Sequence, residues 1–315
     1  MRRALQVLSG FGPQESPEVY EFSYDHPYFG QIFLASLLKI VGYPSSTYSS
    51  SHEGTVSAIE SLHLIPRVLV GLLAVVDTFL IYKIAEKRYN KKTDFVASTI
   101  FAVMPITWNL RMIVLESMLL PFLLSSLLFA VYSAMGRKSK YSNDIKIENK
   151  ICYNIKTIVL VLISGIFLGL SIFTKVPVVS TIPAIGFIVY TNTKNLKLLS
   201  LWIIPVITIP LIWPVYAISI NEFNSWVDGI IYQKERKDIT IVDYVKKIFN
   251  IDPVFLLLGL VALVFAGIKR DYLVLLWTIP YLIFIAFFGG TTRHFHFIVL
   301  TPILSIASAK LILVG

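Results

Sequence analysis

Long apolar runs separated by short polar turns dominate this chain, in place of the one-sided stripes that mark the surface helices of a soluble domain. A helix that crosses a bilayer needs roughly 17 to 25 mostly apolar residues. Nine runs approach that length: Ile65 to Tyr82, Asp94 to Asn109, Val114 to Ala134, Thr157 to Phe173, Val176 to Tyr190, Leu198 to Ser219, Pro253 to Ile268, Tyr272 to Phe288, and Phe297 to Val314. A tenth run, Tyr28 to Tyr43, is interrupted by Gly30, Gln31 and Lys39 and predicts a short helix lying on or dipping into the interface. The expected architecture is all-α and polytopic, with about nine transmembrane helices in a single membrane domain over residues 1–315.

Basic residues orient the runs. Lys83, Lys87, Arg88, Lys91 and Lys92 follow the first span, and Arg137, Lys138, Lys140, Lys146, Lys150 and Lys156 follow the third. If both loops are cytoplasmic, alternation puts Lys194, Lys197, Lys269 and Arg270 on the same side, so four loops agree. The external side then receives residues 1–64, carrying the interfacial helix, and the loop 220–252. In the latter, Trp226, Ile230, Ile231, Tyr244, Val245 and Ile248 alternate with charges, as in amphipathic helices that cover a site. A polar stretch over residues 1–64 with no span before it predicts one further span upstream.

Composition agrees: 56% of the 315 residues are hydrophobic and only 15% charged, far from the balance of a soluble enzyme. The net charge of +9 records membrane orientation rather than a nucleic-acid partner. The single cysteine, Cys152, defines neither a disulfide nor a four-ligand zinc site.

With the spans oriented, the unusual polar residues fall at one boundary. Glu18, Glu21, Asp25, His26, Arg67, Arg111, Glu116, Lys175, Arg293, His294 and His296 are external or nearly so. Carboxylates able to take a proton and cations able to hold an anion therefore share the extracytoplasmic border, which suits a substrate with an apolar tail and a charged head. Each has a blander reading. Asp25 precedes Pro27 and a helix start, Glu116 and Lys175 complement helix dipoles, and Arg67 and Arg111 snorkel toward headgroups. Inside the spans, Asp77 predicts a structural partner on a neighbouring helix, and Lys310 predicts snorkelling.

Five segments, in order, resemble one family. YDHPYFGQIFLASLLKIVGYP (Tyr24 to Pro44) is similar to the His-Pro segment and short helix in the first external loop of GT-C type integral-membrane glycosyltransferases, above all protein O-mannosyltransferases and the aminoarabinose transferases that modify lipid A. PRVLVGLLAVVDTFLIYKIAEKRY (Pro66 to Tyr89) resembles their Arg-led span, and AVMPITWNLRMIVLESMLLPFLL (Ala102 to Leu124) their Pro, Arg and acidic external turn. GLSIFTKVPVV (Gly169 to Val179) resembles their Thr-Lys-Pro turn, and TTRHFHFIVLTPILSIASA (Thr291 to Ala309) an Arg-aromatic segment before a late span. The likeness runs from residue 4 to 309. Trp226-Val227-Asp228-Gly229 departs from the Trp-Trp-Asp signature of oligosaccharyltransferases.

The resemblance implies an inverting hexosyl or pentosyl transferase, mannosyltransferase-like, in the plasma membrane. Such an enzyme moves a sugar from a polyprenyl-phosphate carrier to a hydroxyl of a protein, lipid or glycan acceptor at the extracytoplasmic face. An acceptor hydroxyl attacks, a carboxylate takes its proton, and the phosphate leaves with its charge met by lysine, arginine or a divalent metal. The family carries an acidic pair just upstream of a segment like ALQVLSG, and Met1 stands just before that segment here. Asp25, Glu21 and Glu18 are then the candidate bases of this loop, and His26, Arg67, Arg111, Glu116, Lys175, Arg293 and His294 the substrate-binding candidates. Competing readings are a noncatalytic homologue or membrane subunit, and a secondary transporter with ionisable residues near the midplane of several spans.

Overall fold

The computed structural model describes residues 2–13, 24–42, 52–136, 155–235, 241–288 and 294–314. Fourteen α-helices are described: α1 Arg2–Leu8, α2 Phe29–Ile40, α3 His52–Arg88, α4 Lys91–Val103, α5 Leu115–Tyr132, α6 Ile155–Thr174, α7 Ile182–Thr193, α8 Leu196–Thr208, α9 Ile212–Ser219, α10 Phe223–Glu235, α11 Ile241–Ile251, α12 Pro253–Ile268, α13 Tyr272–Phe288 and α14 Thr301–Val314. Among the described residues there is no β-strand, so the fold is the expected all-α membrane architecture. Large apolar side chains stand exposed along α3 (Val68, Leu72, Val75, Phe79) and α12 (Val254, Leu257, Leu260, Val264). An exterior of that kind faces lipid.

The span pattern holds with a correction. Six stretches are long and apolar enough to cross unaided: Leu64–Arg88, Leu115–Tyr132, Ile155–Thr174, Val176–Thr193, Leu196–Ser219 and Phe295–Val314. The expected run Asp94 to Asn109 is not one helix. Asn90 caps its start by accepting from the Lys92 and Thr93 amides at 3.0 and 2.8 Å, but α4 stops at Val103 and a 3-10 turn, Pro105–Arg111, follows. Pro105 has no amide proton to continue the ladder, and the residue before it, Met104, is driven to extended backbone (φ −67°, ψ 133°). α12 and α13 are shorter apolar helices of 16 and 17 residues. Between α11 and α12 the chain bends by 117°. Asp252 stands at that bend, accepting from the Phe255 amide at 2.9 Å and the Ile106 amide at 3.2 Å, so it caps α12 and pins it to the Pro105 turn.

Two small-residue contacts set the walls of the site. On α6, Gly165 and Gly169 approach α8 so closely that an added Cβ would lie 2.4 Å from the Trp202 carbonyl oxygen and 2.5 Å from that of Pro205. A small-xxx-small pair lets two spans touch backbone to backbone where lipid offers no hydrophobic drive. On the opposite side α6 meets α5 through Ser126 and Ser164, each hydroxyl donating to the other's carbonyl oxygen, at 2.7 and 2.8 Å. Trp202 completes the joint by donating Nε1–H to the Ser164 hydroxyl at 3.2 Å. α2 lies over the first turn of α5 and the last turn of α6, with Gly30 packed against Leu115 and Thr174, and it is the short helix expected within Tyr28 to Tyr43.

Asp77 and Lys310 differ from expectation. Asp77 is fully buried, and among the described residues neither carboxylate oxygen has a hydrogen-bond partner, so the partner expected on a neighbouring helix is not found there. Lys310 does not snorkel freely: it pairs with Asp271 at the start of α13, and its Nζ stands 4.4 Å from the centroid of the Tyr89 ring. Tyr89 donates its hydroxyl to the same carboxylate oxygen at 2.9 Å.

Candidate active site

Between the ends of α6, α8 and α9 and one face of α10 lies a cavity of about 600 Å³. Its walls are mostly apolar, among them Ile172, Val179, Val206, Pro210 and Phe284. Its polar members come from the turns beside these helices and from α10: Asp25, His26, Lys175, Gln233, Lys234 and His296. An apolar trough ending in a cluster of ionisable groups is the shape that a charged head on a hydrocarbon tail requires.

Three side chains surround the Asp25 carboxylate. Arg3 donates to its Oδ1 at 2.7 Å, Gln233 of α10 donates to Oδ2 at 3.4 Å, and His26 Nε2 stands 3.9 Å from Oδ2. α10 reaches the loop because Gly229 packs on its backbone: a Cβ there would sit 2.6 Å from the Tyr24 carbonyl oxygen and 3.1 Å from the Asp25 nitrogen. Beneath the loop, Tyr28 packs edge-on against Phe173 at 4.9 Å and Tyr216 at 5.4 Å. Trp213 and Trp226, which face the cavity, cross in a T at 5.5 Å. Burial, reinforced by Glu222, pushes the Tyr24 phenol up to about 12, and burial beside Tyr216 pushes Tyr28 up to about 12. Both stay neutral at any working pH.

The second charged centre joins α5 to the turn after α6. Lys175, almost dry, pairs with Glu116, drier still, and its ammonium lies 4.9 Å from the centroid of the Phe295 ring. Lys175 is the extended N-cap (φ −156°, ψ 120°) of a short 3-10 segment, Val176–Thr181, and its side chain lines the cavity. Tyr244 of α11 and Tyr281 of α13 are both buried. Tyr281 donates its hydroxyl to the His296 carbonyl oxygen at 2.7 Å, whereas the buried Tyr244 hydroxyl has no partner among the described residues.

Of the residues singled out from the sequence, Asp25, His26, Lys175 and His296 line the cavity, and Glu116 reaches it through Lys175. Arg67 and Arg111 are exposed and do not line it. Arg67 is exposed beside buried Pro66 on α3, and Arg111 lies 5.7 Å over the half-exposed Trp108, as an interfacial anchor does. Glu18, Glu21 and Arg293 lie outside the described residues, and of His294 only the backbone is described. Among the described residues, no three His, Cys, Asp or Glu side chains gather as they would around a metal ion. Sequence reasoning missed Arg3, Gln233, Lys234 and Tyr244 as site residues. Arg3, directly before the ALQVL segment, shows only a charge near the start of the sequence, and neutral Gln233 on an amphipathic helix shows no signal at all.

No protein-family model matches the sequence, and no curated protein does. Solved structures match over nearly the whole chain. ArnT from Cupriavidus metallidurans in the apo state superposes with a TM-score of 0.62 at 13% identity, covering 98% of this chain and 53% of ArnT. The same protein bound to undecaprenyl phosphate gives 0.59 at 11% identity, covering 98% and 53%. The archaeal oligosaccharyltransferase AglB from Archaeoglobus fulgidus, in complex with an inhibitory peptide and a dolichol-phosphate, gives 0.56 at 10% identity, covering 97% and 45%. The chain thus shares the fold of these membrane proteins over nearly its whole length and spans about half of theirs.

Proposed function

We propose that this chain is part of a glycosyltransferase that moves a sugar from a polyprenyl-phosphate carrier to an acceptor hydroxyl at the extracytoplasmic face of the plasma membrane. The observation that carries the reading is the cavity that joins Asp25, His26 and Lys175 to an apolar trough. The shared fold supports it, since ArnT is solved with undecaprenyl phosphate and AglB with a dolichol-phosphate.

In this reading the polyprenyl chain lies along the walls of α6 and α8 and the phosphate meets Lys175, with His26 and His296 at the same border. The acceptor oxygen attacks the anomeric carbon from the side opposite the phosphate. Asp25 takes the hydroxyl proton as the new C–O bond forms, and the sugar–phosphate bond breaks with its electron pair leaving on the phosphate. Arg3 and Gln233 hold the carboxylate in place. Inversion at the anomeric carbon follows from the single displacement. The acceptor is a protein, a lipid or a glycan.

The test is transfer from a radiolabelled polyprenyl-phosphate hexose or pentose in membranes containing the chain. Label appearing in an acceptor supports the reading, and a chain that neither binds nor consumes any such donor refutes it.

A further inference from the structure

In the Glu116–Lys175 pair the site's innermost cation is already neutralised by a buried carboxylate. A phosphate arriving at Lys175 therefore competes with a resident anion. Breaking a buried pair by removing one partner is costly when the remaining charge is left bare, so an exchange needs a second partner for Glu116. One is at hand. The Tyr244 hydroxyl is buried, makes no hydrogen bond among the described residues and lies within the electrostatic reach of Glu116. A buried donor left unpaired costs free energy unless some state of the molecule uses it. Burial first, and Glu116 second, push its phenol up, so it remains a donor at any working pH. The geometry around Lys175 fits the exchange: its ammonium lies over the Phe295 face, and its side chain lines the cavity while Glu116 does not.

We infer that Glu116 is a resident counter-ion for Lys175, handing the lysine to the lipid phosphate and turning to the Tyr244 hydroxyl when the carrier binds, then reclaiming the lysine to expel the spent carrier. This rests on the proposed role of Lys175 in holding phosphate. It gives Glu116 a part in release rather than in proton transfer, and keeps a buried cation from gripping the product too tightly.

The consequence is contrary to the usual effect of deleting a site carboxylate. With undecaprenyl phosphate as the probe and the full chain in nanodiscs, native mass spectrometry should find that Glu116→Gln binds about tenfold tighter, as when a competitor holds the lysine about nine-tenths of the time. Tyr244→Phe should bind about tenfold weaker, the lower end for one hydrogen bond to a charged group, and should have no effect in the Glu116→Gln background. Lys175→Met separates the inference from the reading beneath it. If Lys175→Met weakens binding while Glu116→Gln binds no tighter than the parent chain, the exchange is refuted and the phosphate site stands. If Lys175→Met binds like the parent chain, both fall. Should Glu116→Gln fail to fold, Tyr244→Phe alone decides, and unchanged affinity overturns the exchange.

Discussion

Two ion pairs with buried carboxylates sit at opposite ends of the bundle, and their surroundings differ. At one end, Asp271 and the half-buried Lys310 are joined by the Tyr89 hydroxyl and ring, tying the start of α13 and the end of α14 to the segment that follows α3. At the other end, Glu116 and Lys175 stand beside a cavity of about 600 Å³ and a tyrosine hydroxyl with no hydrogen-bond partner among the described residues. The first arrangement gives both the lysine and the tyrosine an internal use. The second leaves a cation facing open volume and a donor waiting. Buried charge alone therefore does not identify a site; charge beside unfilled space and unmet donors does.

The comparison can be broken by substitutions, and the largest effect is expected at Asp25. Asp25→Asn keeps the size and the Gln233 neighbourhood but removes the base, so transfer should fall by about two to four orders of magnitude while undecaprenyl phosphate still binds. Retained transfer would move the base elsewhere. Next comes Gly229→Val, which forces side-chain atoms onto the Tyr24 and Asp25 backbone and should lift α10 from the cavity. Overpacking of this kind costs roughly 1–3 kcal/mol, to be read as lower thermal stability and weaker lipid-phosphate binding together. At the opposite end, Lys310→Met should lower stability by roughly 1.5–3 kcal/mol, the range for a hydrogen bond to a charged group, and leave transfer per folded molecule unchanged. Loss of transfer there would erase the contrast between the two pairs.

The smallest effect concerns pH. Tyr24 and Tyr28 are held up to about 12 against an ordinary 10, so the unfolded chain ionises first as pH rises. Their contribution is fully present below pH 10 and is lost as pH climbs from 10 to 12. Thermal unfolding in detergent should show that decline, and Tyr24→Phe with Tyr28→Phe should flatten it.

The all-α membrane architecture was legible because a bilayer demands long apolar runs, and most of the expected spans reappear as helices. Where the pattern misled, the reason was local. Pro105 divides an apolar stretch that composition alone treats as continuous, and apolar character cannot register a missing amide proton. Within the site, Asp25, His26 and Lys175 were legible from polarity at one border. Gln233 and Arg3 were not, since their relevance depends on α10 and α1 folding back over a loop distant in sequence. Asp77 was read as paired, yet no partner is found among the described residues, and periodicity could not have told the difference.

Sidedness carries the whole account, and the chain's lone cysteine allows it to be measured. Cys152 belongs to the lysine-rich loop expected in the cytoplasm, and His296 lines the cavity. In a chain bearing His296→Cys, a membrane-impermeant maleimide added to intact cells should label position 296 and leave Cys152 untouched until the membrane is opened. Undecaprenyl phosphate should protect position 296. Labelling of Cys152 from outside, with position 296 shielded until permeabilisation, would contradict the account.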